Sequence, residues 1–239
     1  MAVGSLGWIT TVRIDLCFTF SRLSQHLKKP TTAAWKALER ALGYLQAHKH
    51  LGIGQELKAK PEWQFFTDSD HGGNTAEVQD DQEDYLRPQL GIVALCGGAP
   101  VLFSSKQSKV CFAHSNLDEA HSDISVAASE IYALGSGVAE FMGLSYVVEE
   151  LGLPSIELPM NIQVDNKTAQ FFANGTVKRS KIRHIDQRQM FVRAMRNGKI
   201  VNVSHVSTKF NLADIMTKPL LRPDFTRIRS TLMLTCPTN

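Results

Sequence analysis

The hydrophobic period changes at Trp63, and that change constrains the fold more than any other feature of the chain. Before it, apolar residues recur every three or four positions. "RIDLCFTFSRLSQHLKK" places Leu16, Phe20, Leu23 and Leu27 on one helical face, and "PTTAAWKALERALGYLQAHKH" does the same with Trp35, Leu38, Leu42 and Leu45. Pro30 separates the two helices, and Thr31 or Thr32 is the expected cap of the second. Trp8 and Trp35 read as packing anchors of this segment. After Trp63 the runs shorten and become β-rich. "WQFFT" is a short strand, "LGIVALCGGAPVLFSS" a hairpin around "GGAP", and "MNIQVD" and "IVNVSHVS" further strands. A long helix is expected over about Ser122 to Leu151, and shorter ones over "KTAQFFAN" and "HIDQRQMFVRAMRNGK". "NLADIMTKPL" is expected to start a last helix. Phe65, Phe66, Val101, Phe103, Ile162 and Val164 are the expected sheet core. The order β-ββ-α-β-α-α-β-α implies an α/β fold with a mixed sheet flanked by helices.

Composition sets outer limits. With 43% hydrophobic and 21% charged residues in 239, the chain is of ordinary globular composition, and its net charge of +3 is only mildly basic. Cys17, Cys96, Cys111 and Cys236 form no C-x-x-C pair, so neither a zinc ribbon nor a disulfide framework is expected, and a reducing intracellular compartment is. Membrane insertion is not expected, because Glu140, Glu149 and Glu150 interrupt the apolar stretch Ile131 to Leu151. The N-terminus carries Arg13 and Asp15 where a signal peptide would need an apolar core. It starts at Met1, as a free-standing protein would.

Four carboxylates stand where strands and helices are expected to meet: Asp68 in "FTDSDHGGN", Glu130 in "AASEIYAL", Asp165 in "IQVDN" and Asp214 in "NLADIMTK". Brought to one sheet edge, they would repel each other unless a cation neutralised them. All-oxygen donor sets suit Mg²⁺ or Mn²⁺, and two such ions support phosphodiester hydrolysis. Taken singly, each has an ordinary explanation: a turn or cap for Asp68, a solvated helix face for Glu130, an exposed helix residue for Asp214. Spacing alone does not choose between these readings.

The motifs "FTDSDHGGN", "SSKQ", "AASEIYAL", "VDNKTAQ", "RHIDQRQMFVRAM" and "HVSTKFNLADIMTKPL", in that order, resemble the RNase H domain of copia-type LTR-retrotransposon polyproteins. The upstream helices are similar to the segment that joins polymerase to RNase H in those polyproteins. The resemblance implies an RNase H-like fold with a five-stranded mixed sheet, and metal-dependent cleavage of the RNA strand of an RNA–DNA hybrid. It implies a division into a helical connection segment over 1–60, an RNase H-like domain over 61–220 and a partly helical tail over 221–239. Asp68, Glu130, Asp165 and Asp214 match the metal-binding carboxylates of that family, with two Mg²⁺ or Mn²⁺ ions as cofactor; Asp70 falls outside the set. His205 matches a histidine that aids product release in many cellular RNases H. The family's usual tryptophan after the first acidic pair is replaced by His71 and Gly72, and its "TEAE" stands here as "AASE". The polymerase's catalytic aspartates lie upstream of this segment in the family.

Eight basic residues and one acid, Asp186, lie between Thr176 and Lys199. Lys178, Arg179, Lys181, Arg183 and Arg188 are the expected phosphate contacts of a hybrid, against the common alternative of a solvated cationic face. Met190, Phe191 and Met195, in contrast, are expected core. A different class of function is also open. The chain would then be a domesticated fragment, a structural subunit whose N-terminal helices meet a protein partner. A binding module without cleavage is a third reading.

Overall fold

The computed structural model describes residues 2–54, 62–70, 87–108, 119–153, 155–175 and 187–235, without the side chains of 119–127 and 187–189. The expected hairpin is formed by β3 (Gln89–Cys96) and β4 (Ala99–Gln107), joined by Gly97 and Gly98 at φ 60° and 89°. Both turn positions lie in the left-handed region, where glycine carries no Cβ penalty. Before them in the chain stands β2 (Trp63–Asp70), antiparallel to β3. β5 (Met160–Val164) is parallel to β2, and β6 (Val201–His205) is parallel to β5. The sheet order is therefore β4-β3-β2-β5-β6, a five-stranded mixed sheet of the RNase H-like kind. The carboxyl ends of the parallel strands β2, β5 and β6 share one edge, where open α/β sheets hold their ligands.

Adjacent residues of the central strands point to opposite faces, and both faces are buried. On one face, Phe65, Ile92, Ala94, Ile162 and Val203 pack with Leu134, Val138 and Phe141 of α4 (Glu119–Glu150) and Val192 of α6 (Gln187–Asn197). Ile131 of α4 packs instead on Ala169 and Phe172 of α5 (Lys167–Ala173). By length and composition Ala128–Glu150 could cross a membrane; here its Leu134, Val138, Phe141 and Val148 are buried in the sheet core.

The other face brings distant segments together. Phe66, Val93 and Leu95 pack with Ile14 and Cys17, with Leu212, Ile215 and Met216, and with Ile228 and Leu232 of α7 (Arg222–Leu232). Cys17 opens α2 (Cys17–Ser24), which follows α1 (Ala2–Ile9); Leu6, Leu16, Leu23, Leu38 and Ala41 form a further cluster with α3 (Thr32–Ala47). Thr31 caps α3 by accepting a hydrogen bond from Ala34 N, as expected. A clasp ties the chain ends: β1 (Leu51–Gly52) pairs with β7 (Leu234–Thr235), and Tyr44 Oη donates to Asp15 and accepts from Arg229.

Several expectations need correction. Trp8 and Trp35 are 81% and 61% exposed, so they are not packing anchors; Trp35 donates to Glu39 one turn along its own helix. Val101 is 44% exposed on the outer strand β4 and is not core. "WQFFT" continues as strand through Asp70, since Asp68 to Asp70 keep pairing with Gly91 to Gln89. "NLADIMT" is a 3-10 turn, Leu212–Met216, and the last α-helix begins only at Arg222.

Candidate metal centre

Each acidic residue is positioned by its own element. Asp68 lies inside β2 rather than at its exit, opposite Gly91 of β3, and is 1% exposed. The missing side chain at Gly91 is what admits the 3-10 turn. A Cβ there would stand 2.7 Å from Thr217 Cγ2 and 2.8 Å from Ala213 O. That turn delivers Asp214, 4% exposed. Asp165 follows β5 directly and is half-buried; Asn166 next to it caps α5 by accepting from Ala169 N at 3.0 Å. Ligand oxygens of Asp68, Asp165 and Asp214 lie within 4.8 Å of one another.

Glu130 falls in the body of α4, not near its start, and is 7% exposed. It is outside the 4.8 Å set, yet it is close enough to feel the charges of Asp68 and Asp165. A hydrogen bond from Ser69 Oγ to Ser129 Oγ at 2.8 Å pins α4 to β2 beside both acids. His205 ends β6 in register with Val164, on the same sheet edge, but it is exposed and not part of the cluster. Lys178, Arg179, Lys181 and Arg183 lie outside the described residues. Arg188 lies in the first turn of α6, outside the described side chains. Arg193 faces inward: its guanidinium sits 4.0 Å over the Phe172 ring and its Nε donates to Phe172 O.

Three residues beyond the expected set complete the site. Asn211 is fully buried; its Nδ2 donates to Thr67 O and Asp68 Oδ1, both at 3.3 Å, and its Oδ1 accepts from Ala213 N. Thr217 Oγ1 donates to Asp68 Oδ2. Lys218 Nζ lies 3.1 Å from Asp214 Oδ1 and 3.8 Å from Asp68 Oδ2. The closer contact, to Asp214 Oδ1, is the main charge partner of that buried oxygen. Asn211, Thr217 and Lys218 all stand in "NLADIMTK", and the i, i+4 spacing of Asp214 and Lys218 was the available signal.

The electrostatics follow from burial. Burial pushes the Asp68 carboxyl up to about 7, with Asp214 and Asp165 adding to it and Lys218 and Thr217 opposing it. Burial likewise raises Asp214 to about 6 and holds Glu130 well above the carboxylate range. For Lys218 burial acts downward, but Asp68 and Asp214 more than offset it and keep the ammonium charged. Crowded acids with raised values mark a site that favours protons or cations. The donors are all carboxylate oxygens, and two of the three residues are buried, which fits a hard divalent ion such as Mg²⁺ or Mn²⁺.

The chain is 30% identical over 223 residues to the Retrovirus-related Pol polyprotein from transposon RE2 of Arabidopsis thaliana. The match covers 93% of this chain and 14% of that protein. The chain is homologous to transposon Pol polyproteins over most of its length. It is also 29% identical to the polyprotein of transposon RE1 from the same plant, over 98% of this chain and 14% of that protein. For transposon TNT 1-94 of Nicotiana tabacum the figures are 26%, 94% and 15%. The chain thus spans only about one seventh of these relatives. No protein-family model and no solved structure matches it.

Proposed function

We propose that this chain is a divalent-metal-dependent ribonuclease H that cleaves the RNA strand of RNA–DNA hybrids. The observation that carries the reading is the convergence of Asp68, Asp165 and Asp214 to within 4.8 Å, at the carboxyl edge of an RNase H-like sheet. The Pol polyprotein relatives support it. Asp68, Asp165 and Asp214 would hold two Mg²⁺ or Mn²⁺ ions, with Glu130 completing the acidic set. When bound, such ions activate water and stabilise the leaving oxygen of a phosphodiester. The chain's own residues prepare the site. Asn211 and Thr217 fix both oxygens of Asp68, and the Ser69–Ser129 bond holds Glu130 alongside. His205, exposed at the rim, is the proposed aid to proton transfer or product release. Lys178, Arg179, Lys181, Arg183 and Arg188 are the proposed phosphate track, and 2′-OH contacts would distinguish RNA from DNA. The test is cleavage of a hybrid labelled on each strand. RNA-strand products in Mg²⁺, lost in chelator, support the reading; equal cutting of duplex DNA defeats it.

A second reading draws on the N-terminal helices. Trp8, Leu27 and Trp35 are each more than 60% exposed, which favours a protein partner on that side. A domesticated fragment acting as a structural subunit would use the same surface without needing the carboxylates. Purification of the native protein with a fixed partner, without hybrid cleavage, would favour it.

A further inference from the structure

Lys218 reaches into the acidic cluster through two ion pairs, to Asp68 and to Asp214. Its placement is built by the turn that carries Asp214. Lys218 N lies 3.3 Å from Asp214 O, and the i, i+4 spacing lays its stem across the carboxylates. Its ammonium touches one oxygen of each partner, at 3.1 and 3.8 Å, and a third of its side chain reaches solvent.

The chain's buried pair Arg13–Asp15 shows the contrast. Arg13 binds Asp15 through two parallel bonds, Nε to Oδ1 at 3.0 Å and a terminal nitrogen to Oδ2 at 2.8 Å, and both side chains are sealed from water. A planar fork in a closed site is a fixed structural pair. Lys218 has a point charge on a flexible stem, single contacts, and a route to solvent. Its two carboxylate partners are also two of the three proposed ion ligands.

We propose that Lys218 is a tethered counter-cation that competes with divalent ions for Asp68 and Asp214, setting how tightly the centre takes them up. The inference rests on the metal-centre reading above. Without a divalent ion, the ammonium offsets the repulsion of the clustered acids. With one, it must yield those oxygens, and its nearby charge opposes the ion.

The test uses the full chain, stripped with chelator, and Mn²⁺ as the probe. The free-Mn²⁺ electron paramagnetic resonance signal reads uptake without any substrate. Lys218→Gln removes the charge and keeps most of the length; Lys218→Arg keeps the charge. Lys218→Gln is expected to bind Mn²⁺ at least about tenfold more tightly than wild type, the scale of losing one unit charge a few ångströms from a divalent ion. Its Tm in chelator is expected to fall, and Lys218→Arg to stay within about threefold of wild type in affinity, since the Coulomb term is kept. If Lys218→Gln folds only with the ion, the rise of its Tm with Mn²⁺ concentration gives the same affinity. Unchanged or weaker Mn²⁺ binding by Lys218→Gln overturns the role of Lys218. Wild type that takes up no Mn²⁺ overturns the metal-centre reading as well, so the two failures are distinguishable.

Discussion

Replacing Asp68 by Asn should make the protein more stable when divalent ions are withheld, and the structure sets the size of the effect. Asp68 is 1% exposed, and burial among Asp214 and Asp165 raises its carboxyl to about 7. A carboxyl raised that far is protonated in the folded chain at pH values where the unfolded chain has already ionised. Its contribution to stability is therefore complete below about pH 4 and is lost as pH rises through about 7. At pH 8 the ionised side chain costs up to about 4 kcal/mol. Asn carries no such cost, still offers an oxygen to Asn211, and can hydrogen-bond the Thr217 hydroxyl in the reverse sense. Coupling to Asp214 lets protons redistribute, so the expected gain is about 1–3 kcal/mol, or a few degrees in Tm for a chain of this size. The assay is thermal unfolding by circular dichroism in chelator at pH 5 and pH 8, then at pH 8 with Mn²⁺. The gain should appear at pH 8 and shrink at pH 5. Mn²⁺ should raise the Tm of wild type more than that of Asp68→Asn. A variant less stable than wild type at pH 8 in chelator would refute the reasoning, because Asp68 would then be a hydrogen-bond hub rather than a charge held for a cation.

Other outcomes follow from the same packing. Gly91→Ala should cost about 1–3 kcal/mol and weaken Mn²⁺ uptake, because its Cβ pushes the 211–217 turn off Asp68; unfolding melts and Mn²⁺ titration check both. Removal of residues 1–58 tests the proposed segment boundary: Ile14 and Cys17 leave the cluster that Phe66 and Val93 share with Leu212 and Ile228, so the remainder should fold with a lowered Tm. A truncated chain with no cooperative transition would reject that boundary. Charge reversal at Arg179 and Lys181 together should lower hybrid affinity and flatten its dependence on salt, as measured by fluorescence anisotropy across a salt series.

Much of the fold was legible because both faces of the central strands are buried. Such strands read as near-continuous apolar runs, and "FF" and "IVAL" each feed two cores from adjacent residues. What the pattern did not show was which side chains close the second face. Leu212 and Met216 come from a 3-10 turn too short to show a period, and Ile228 from α7, whose apolar face the sequence did not tie to the sheet. The same blindness misplaced Trp8 and Trp35, since an amphipathic stripe marks an apolar face but not whether anything covers it. At the site, the carboxylates were legible as acids beside apolar anchors. Asn211, Thr217 and Lys218 were not, because each acts through a hydrogen bond or ion pair across the fold, and Gly91 acts by a side chain it lacks.

The proposed hydrolysis by ions held on the clustered carboxylates is tested most directly by Asp165→Asn. Asp165 is the half-buried member of the set, so Asn keeps its shape at little structural cost and removes the charge a hard divalent ion requires. The measurement is the rate of RNA-strand cleavage in a labelled RNA–DNA hybrid with saturating Mg²⁺, wild type beside Asp165→Asn, with unfolding melts showing both folded. Cleavage by wild type is expected, with a loss of about three or more orders of magnitude in the variant, the scale seen when one member of a catalytic unit is removed. Equal rates for the two proteins, or no cleavage by wild type with either Mg²⁺ or Mn²⁺, would contradict the proposed hydrolysis.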